Sequence, residues 1–150
     1  MNPWQITWVW LLSLTLFFVA NEARDFWDAL GIGEKTKVKI YNDLQYGAYL
    51  CVHCKSKDDD LGWEACPYRH SYSFEFRPEF EFWGRTGTVF SCEVRWNGES
   101  HCFEPFNYGR YGAIFDRVLK WYVRPSGPCI TEKHNRHLLC YTWDKYSCNA

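Results

Sequence analysis

The sequence has no excess of charge of either sign: 17 lysines and arginines stand against 18 aspartates and glutamates in 150 residues. Binding to nucleic acid needs a surplus of basic side chains on one surface, and so does a polybasic membrane anchor. We therefore expect neither kind of partner. The aromatic share of 20%, close to the charged share of 23%, indicates a chain with a packed core rather than a disordered tail.

The sequence also lacks an apolar run long enough to cross a bilayer, which takes about 20 residues. Its apolar segment Trp8–Ala20 is shorter and is typical of a secretory signal peptide, with small residues at Ala20 and Ala23. No lysine or arginine precedes this segment, and the alternative interpretation is a buried core helix. We expect residues 1–23 to be a signal peptide cleaved after residue 20–23, which leaves residues 24–150 as one extracellular domain without membrane insertion.

Residues after Gly31 lack a sustained helical period and alternate polar with apolar side chains instead. In Val89–Trp96, aromatic and aliphatic residues and Cys92 alternate with Ser91, Glu93 and Arg95. Similar segments are Lys37–Tyr41, Tyr49–Cys54, Ser71–Phe76, Leu119–Arg124 and Leu138–Trp143, separated by turn residues such as Asn42-Asp43, Asn97-Gly98 and Pro125–Pro128. The pattern predicts an all-β domain, a small disulfide-stabilised antiparallel β-sandwich of about eight strands.

Motifs of catalysis are missing as well. The chain has no G-x-S-x-G, H-E-x-x-H or phosphate-binding loop, so we expect no catalytic residue, no cofactor and no metal site. The segment Cys51–Cys54 resembles a metal or redox motif in spacing, but oxidation in a secreted protein favours disulfides there. The alternative function is a secreted hydrolase or ribonuclease in which His53 and His101 act as an acid–base pair.

Eight cysteines are abundant for so short a chain, and all of them follow the predicted signal peptide: Cys51, Cys54, Cys66, Cys92, Cys102, Cys129, Cys140 and Cys148. An even number in an oxidising compartment indicates disulfides. Eight cysteines allow 105 pairings, so the count alone fixes no connectivity.

A set of short motifs, in order along the chain, carries a family resemblance. The segment His53–Gly62 (HCKSKDDDLG) resembles the signature of the plant self-incompatibility protein family, the S-protein homologues. Further matching segments are Val38–Leu44, Tyr72–Phe76, Phe82–Gly84, Phe90–Cys92, Gly98–His101, Trp121, Gly127–Cys129 and Cys140–Trp143. The resemblance implies a secreted, monomeric signalling ligand that binds a cell-surface protein receptor, with pollen–pistil self-incompatibility as the role that names the family.

The resemblance also sorts the cysteines. Four match family positions, Cys54, Cys92, Cys129 and Cys140, and the other four, Cys51, Cys66, Cys102 and Cys148, are additions. A two-residue turn at Asn97-Gly98 places Cys102 opposite Glu93 and a four-residue loop places it opposite Arg95, on the solvent face in either case. We expect Cys54 and Cys92 each to bond to Cys129 or Cys140 in the core, surface bridges among the added four, and no free thiol.

The most concentrated polar feature is the segment Lys57–Gly62, which contains Lys57, Asp58, Asp59, Asp60, Leu61 and Gly62. Three consecutive carboxylates repel one another, so they need solvent, neighbouring cations or a bound ion. A solvated loop and a calcium site are the alternatives, although the spacing lacks the alternating oxygen ligands of a calcium loop. We predict that this segment contacts the receptor, because binding residues concentrate on loops held by a rigid scaffold.

Overall fold

The computed structural model describes residues 2–29, 35–79, 87–111, 118–131 and 137–143. The chain divides into two compact units, Met1–Glu34 and Lys35–Ala150. The first contains helix α1, Pro3–Ala29, which begins where the carbonyl of Asn2 accepts a hydrogen bond from the N–H of Gln5 at 2.9 Å. In the described part of the chain, no helix combines the length and apolarity that a membrane crossing requires. The signal-peptide boundary stays a prediction.

The second unit is a β-sandwich of two sheets, as predicted. Its elements are β1 Thr36–Asn42, β2 Leu50–Lys55, β3 Asp60–Cys66, β4 Ser71–Phe76, β5 Val89–Trp96, β6 Glu99–Asn107, the short helix α2 Tyr108–Tyr111, β7 Val118–Arg124, β8 Gly127–Thr131 and β9 Leu138–Cys140. One sheet has the order β4-β1-β7-β8-β9 and the other has the order β3-β2-β5-β6. The described residues therefore form nine strands. The β1–β7 pair is parallel, which corrects the expectation of an antiparallel sandwich.

The core forms where the inner faces of the two sheets meet. Trp121 of β7 is fully buried, and its ring meets Phe103 of β6 edge-on at 5.2 Å. The indole N–H of Trp121 donates a hydrogen bond of 2.9 Å to the carbonyl of Pro105, also on β6. Toward another part of the interface, the ring of Phe76 on β4 lies 4.8 Å from that of Phe106. Burial of these aromatic side chains supplies the main stabilisation of the sandwich.

A buried asparagine at the end of β1 connects the β1–β2 loop to the end of β3. The amide nitrogen of Asn42 donates to the carbonyls of Ala48 at 2.8 Å and Cys66 at 2.9 Å. Its side-chain oxygen accepts the N–H of Leu44 at 3.1 Å. A buried amide is tolerated when its bonding capacity is met, and here one residue stabilises the ends of β1 and β3 together.

The hairpin between β5 and β6 confirms the two-residue alternative. Asn97 and Gly98 form the turn with φ of 46° and 82°, the left-handed conformations that such turns need. Trp96 then pairs with Glu99, and Glu93 pairs with Cys102. Cys102 is nevertheless buried and disulfide-bonded, so the prediction that it is exposed to solvent is wrong.

Two disulfides have both of their cysteines among the described residues, and both join adjacent strands rather than the two sheets. Cys54 of β2 bonds to Cys92 of β5, directly opposite, with Cα atoms 4.0 Å apart. Cys129 of β8 bonds to Cys140 of β9 in the same manner. The predicted pairing of Cys54 and Cys92 with Cys129 or Cys140 is therefore wrong. Stacked sheets lie about 10 Å apart, beyond the usual Cα separation of a disulfide, whereas neighbouring strands lie about 5 Å apart.

The placement of the cysteines also departs from the prediction. Cys54, Cys92 and Cys129 are fully buried, as expected, but Cys140 is exposed. Cys51 and Cys66 are free thiols. They lie on neighbouring strands but point to opposite faces, because Cys51 pairs with Ala65 and Cys66 pairs with Leu50. The expectation of four bridges without a free thiol is thus wrong, and Cys148 lies outside the described residues.

Thiol labelling tests this arrangement. In the folded protein, we expect a thiol reagent to modify the exposed Cys51 and to spare Cys66, because Cys66 is buried and burial raises the pKa of its thiol. In denaturant without a reductant, both should react, and peptide mapping should recover Cys54–Cys92 and Cys129–Cys140. The variant Cys51→Ser should abolish labelling of the folded protein. A Cys51–Cys66 linkage, or Cys54 joined to Cys129 or Cys140, would contradict the strand register.

Candidate functional site

The predicted recognition segment is only half a loop. The turn between β2 and β3 consists of residues 56–59, and Asp60, Leu61 and Gly62 are the first residues of β3. Gly62 has a φ of 71°, and the pairing shifts so that Leu61 and Gly62 together face Cys54. This is a β-bulge with glycine in the left-handed position, where a side chain would be strained.

The turn holds its shape through Ser56. The N–H of Ser56 donates to the carbonyl of Asp59 at 2.7 Å. In return, the Ser56 hydroxyl accepts the N–H groups of Asp58 at 3.3 Å and of Asp59 at 3.0 Å. The backbone of the two aspartates therefore takes part in the turn. Within the described residues their carboxylates have no hydrogen-bonding or ionic partner, so both charges face solvent.

The third aspartate has a different role. His53 Nε2 lies 2.6 Å from Oδ1 of Asp60, and the N–H of Gly62 donates to the same oxygen at 2.9 Å. The hydrogen bond with His53 lowers the pKa of the Asp60 carboxyl, and the N–H of Gly62 lowers it further. Asp60 thus stabilises the bulge, and the predicted contact segment separates into one structural carboxylate and two free ones.

Next to the bulge, an aromatic–cationic pair lies on the outer face of the four-stranded sheet. Trp63, opposite His53 in the β2–β3 pairing, is 44% exposed, and its ring lies 5.0 Å from the imidazole. The guanidinium carbon of Arg95 on β5 lies 4.4 Å from the centre of the Trp63 ring. Tryptophan and arginine are the residues that most often dominate binding energy at protein interfaces.

A shared glutamate extends this arrangement to β6. Glu93 Oε1 accepts Nε of Arg95 at 2.8 Å and the hydroxyl of Ser100 at 2.6 Å. The Ser100 hydroxyl is the main cause that lowers the pKa of Glu93, and the Arg95 hydrogen bond adds to it. A connected polar and aromatic surface therefore crosses all four strands beside the exposed charges of the turn.

Sequence reasoning identified Glu93 and Arg95 as members of a polar face but missed Trp63. The segment around Trp63 showed no alternation, because Gly62 shifts the register and the strand is exposed on most of its length. The available clue was the spacing of the β2–β3 hairpin. A short turn after His53 brings a residue that follows the aspartates to the position opposite His53.

The acid–base pair of the alternative function is not assembled. His53 lies opposite Glu93 on the outer face, whereas His101 lies opposite Val94, whose side chain is fully buried on the inner face. The His101 ring stacks between Trp96 and Trp143, each with its ring centre 4.8 Å away. The two imidazoles are thus on opposite faces of one sheet and have no common substrate position.

A pH titration tests the assignment of Asp60. Its folded-state pKa lies below its usual value, so the His53–Asp60 pair contributes its full stability above the ordinary aspartate pKa of about 3.9. That contribution is lost as the pH falls through the lowered value. In a carboxyl-selective NMR titration, Asp60 should titrate below the ordinary value, and His53→Gln should raise its pKa toward it. An ordinary Asp60 pKa in the parent protein would contradict the contact.

Comparison with known proteins confirms the family that the motifs indicated. Residues 37–143 match the family model of plant self-incompatibility protein S1. The chain is 38% identical over 117 residues to S-protein homolog 2 of Arabidopsis thaliana, covering 74% of this chain and 70% of that protein. It is 36% identical over 118 residues to S-protein homolog 20 of the same plant, covering 76% of this chain and 81% of that protein. No solved structure matches the sequence. The chain therefore belongs to the plant self-incompatibility protein S1 family, the S-protein homologues.

Proposed function

We propose that this protein is a secreted signalling ligand of plant cells, which binds a cell-surface protein partner through the β2–β3 turn and the adjoining outer face of the four-stranded sheet. Family membership supports an extracellular role of the self-incompatibility type. The predicted signal peptide agrees with such a role. Pollen–pistil recognition is the particular case that the family name suggests.

The observation that carries the proposal is that the fold uses the carboxylate of only one of the three aspartates, Asp60, among the described contacts. Ser56 and Asp60 hold the turn and the bulge, so the fold does not use the carboxylates of Asp58 and Asp59. Two adjacent like charges repel each other and cost stability in the free protein. A partner with basic side chains would remove that cost, raise the association rate and exclude wrong partners.

The neighbouring surface supplies what a charged turn lacks. The Trp63 ring follows the aspartates by only a few residues and is held by Arg95. It offers a partner a large contact area, and little side-chain entropy would be lost on binding. A charged rim beside an aromatic anchor is the usual composition of a protein interface. The hydrolase or ribonuclease alternative has no such support, because its two histidines lie on opposite faces of the sheet.

The double variant Asp58→Asn/Asp59→Asn tests the proposal. We expect it to fold like the parent, since exposed substitutions usually change stability by no more than about 0.5 kcal/mol. We expect its binding to responsive plant cells to be about three- to tenfold weaker at low salt, mainly through a slower association rate. The measurement is saturation binding of labelled protein across a range of salt concentrations.

The matched control is Glu64→Gln/Glu79→Gln, which also removes two negative charges from exposed positions but leaves the turn intact. It should bind like the parent. If both double variants lose binding equally, net charge rather than the turn is responsible. If the aspartate variant binds like the parent at every salt concentration, the turn is only a solvated connection and the proposal fails.

A further inference from the structure

The outer face of the five-stranded sheet carries a pair of lysines without acidic partners. Lys39 of β1 lies directly opposite Lys120 of the parallel strand β7, and Ser73 flanks Lys39 on β4. Among the residues that the structure describes, neither lysine forms an ion pair. Like charges directly opposite each other on neighbouring strands, about 4.8 Å apart, are destabilising.

A third lysine on the same face, Lys37, does have an acidic partner on the neighbouring strand. Lys37, two residues before Lys39, binds Glu75 of β4 with 2.9 Å between Nζ and Oε1. The position of β4 opposite Lys39 is a serine instead. The positive charge of Lys39 and Lys120 is therefore a local surplus in a chain whose net charge is −1.

Two tyrosines form the adjoining row of the same face. Tyr41 lies opposite Tyr122, and their rings stack with centres 4.9 Å apart and an interplanar angle of 12°. Because two residues of a strand advance about 6.6 Å, the tyrosine row lies that far from the lysine row. We call these four residues, Lys39, Tyr41, Lys120 and Tyr122, the Lys–Tyr face.

We propose that the Lys–Tyr face binds an acidic polysaccharide, with uronic-acid carboxylates on the lysines and sugar rings against the tyrosines. The rows of polar side chains on the outer face of a sheet suit an extended polymer whose negative charges repeat along its length. Each lysine ammonium carries a positive charge and three hydrogen-bond donors that can rotate toward a carboxylate. The tyrosines add amphipathic contact area and hydroxyl groups. The side chains of Ser71 and Ser73, exposed on β4, provide further hydroxyls beside both rows.

Other polyanions fit this surface less well. A duplex nucleic acid demands many phosphate contacts, and two free lysines supply few of them. A membrane surface requires large apolar side chains that insert beside the charges, which the Lys–Tyr face does not have. The polysaccharide site is independent of the proposed receptor surface, because the outer faces of the two sheets of a sandwich point in opposite directions.

The test is binding of the purified, disulfide-bonded protein to polygalacturonate, with dextran as the neutral polymer. We expect saturable binding to polygalacturonate that weakens as salt is added, and none to dextran. Lys39→Gln/Lys120→Gln should weaken it about tenfold, the effect of two lost ion pairs. The matched control Lys55→Gln/Lys57→Gln removes two lysines on the side of the four-stranded sheet and should bind like the parent.

A second pair of measurements separates sugar recognition from simple attraction of anions. Tyr41→Leu/Tyr122→Leu should weaken polygalacturonate binding while its salt dependence persists, and near-ultraviolet circular dichroism checks that the variant is folded. Polyglutamate of equal charge should bind more weakly than polygalacturonate. Equal binding of the two polymers would overturn the proposal. So would binding to anionic vesicles in preference to polygalacturonate, or parent-like binding by the lysine variant.

Discussion

The contact of Trp121 with β6 is the interaction on which the rest of the structure depends. Trp121 is fully buried in the middle of the five-stranded sheet, yet its N–H reaches the Pro105 carbonyl and its ring meets Phe103, both on the other sheet. Removing a buried tryptophan side chain costs about 3–5 kcal/mol, a large part of the 5–15 kcal/mol that stabilises a typical domain. The contact fixes which face of each strand points inward.

Once the inner faces are fixed, the period of two in each strand assigns the outer ones. On the outer face of the four-stranded sheet, contacts run from Asp60 and His53 through Trp63 and Arg95 to Glu93. In the adjoining turn, the carboxylates of Asp58 and Asp59 have no partner among the described residues. On the five-stranded sheet, Lys39 and Lys120 form no ion pair with any residue that the structure describes. The two surfaces therefore suit different ligands, and a single core holds both rigid.

How far the sequence predicts this protein depends on which interactions are local. The alternation in β5 specified its inner and outer residues correctly, because strand parity is a property of neighbouring positions. Strand β3 was missed, since the bulge at Gly62 breaks the alternation. The parallel β1–β7 pair and the disulfide partners were also beyond reach, because alternation shows which face a residue occupies but not which strand lies beside it. At the site, the three aspartates looked alike until the position of His53 distinguished Asp60.

The central claim is that the protein contacts its receptor through the β2–β3 turn, and site-specific photocrosslinking tests it most directly. A photoreactive amino acid at position 57, in the exposed turn, is compared with one at position 73, exposed on the other sheet. We expect position 57 to crosslink to one membrane protein of responsive plant cells and excess unlabelled protein to abolish the product. Position 73 should give no such product. Crosslinking of that protein from position 73 and not from position 57 would contradict the claim.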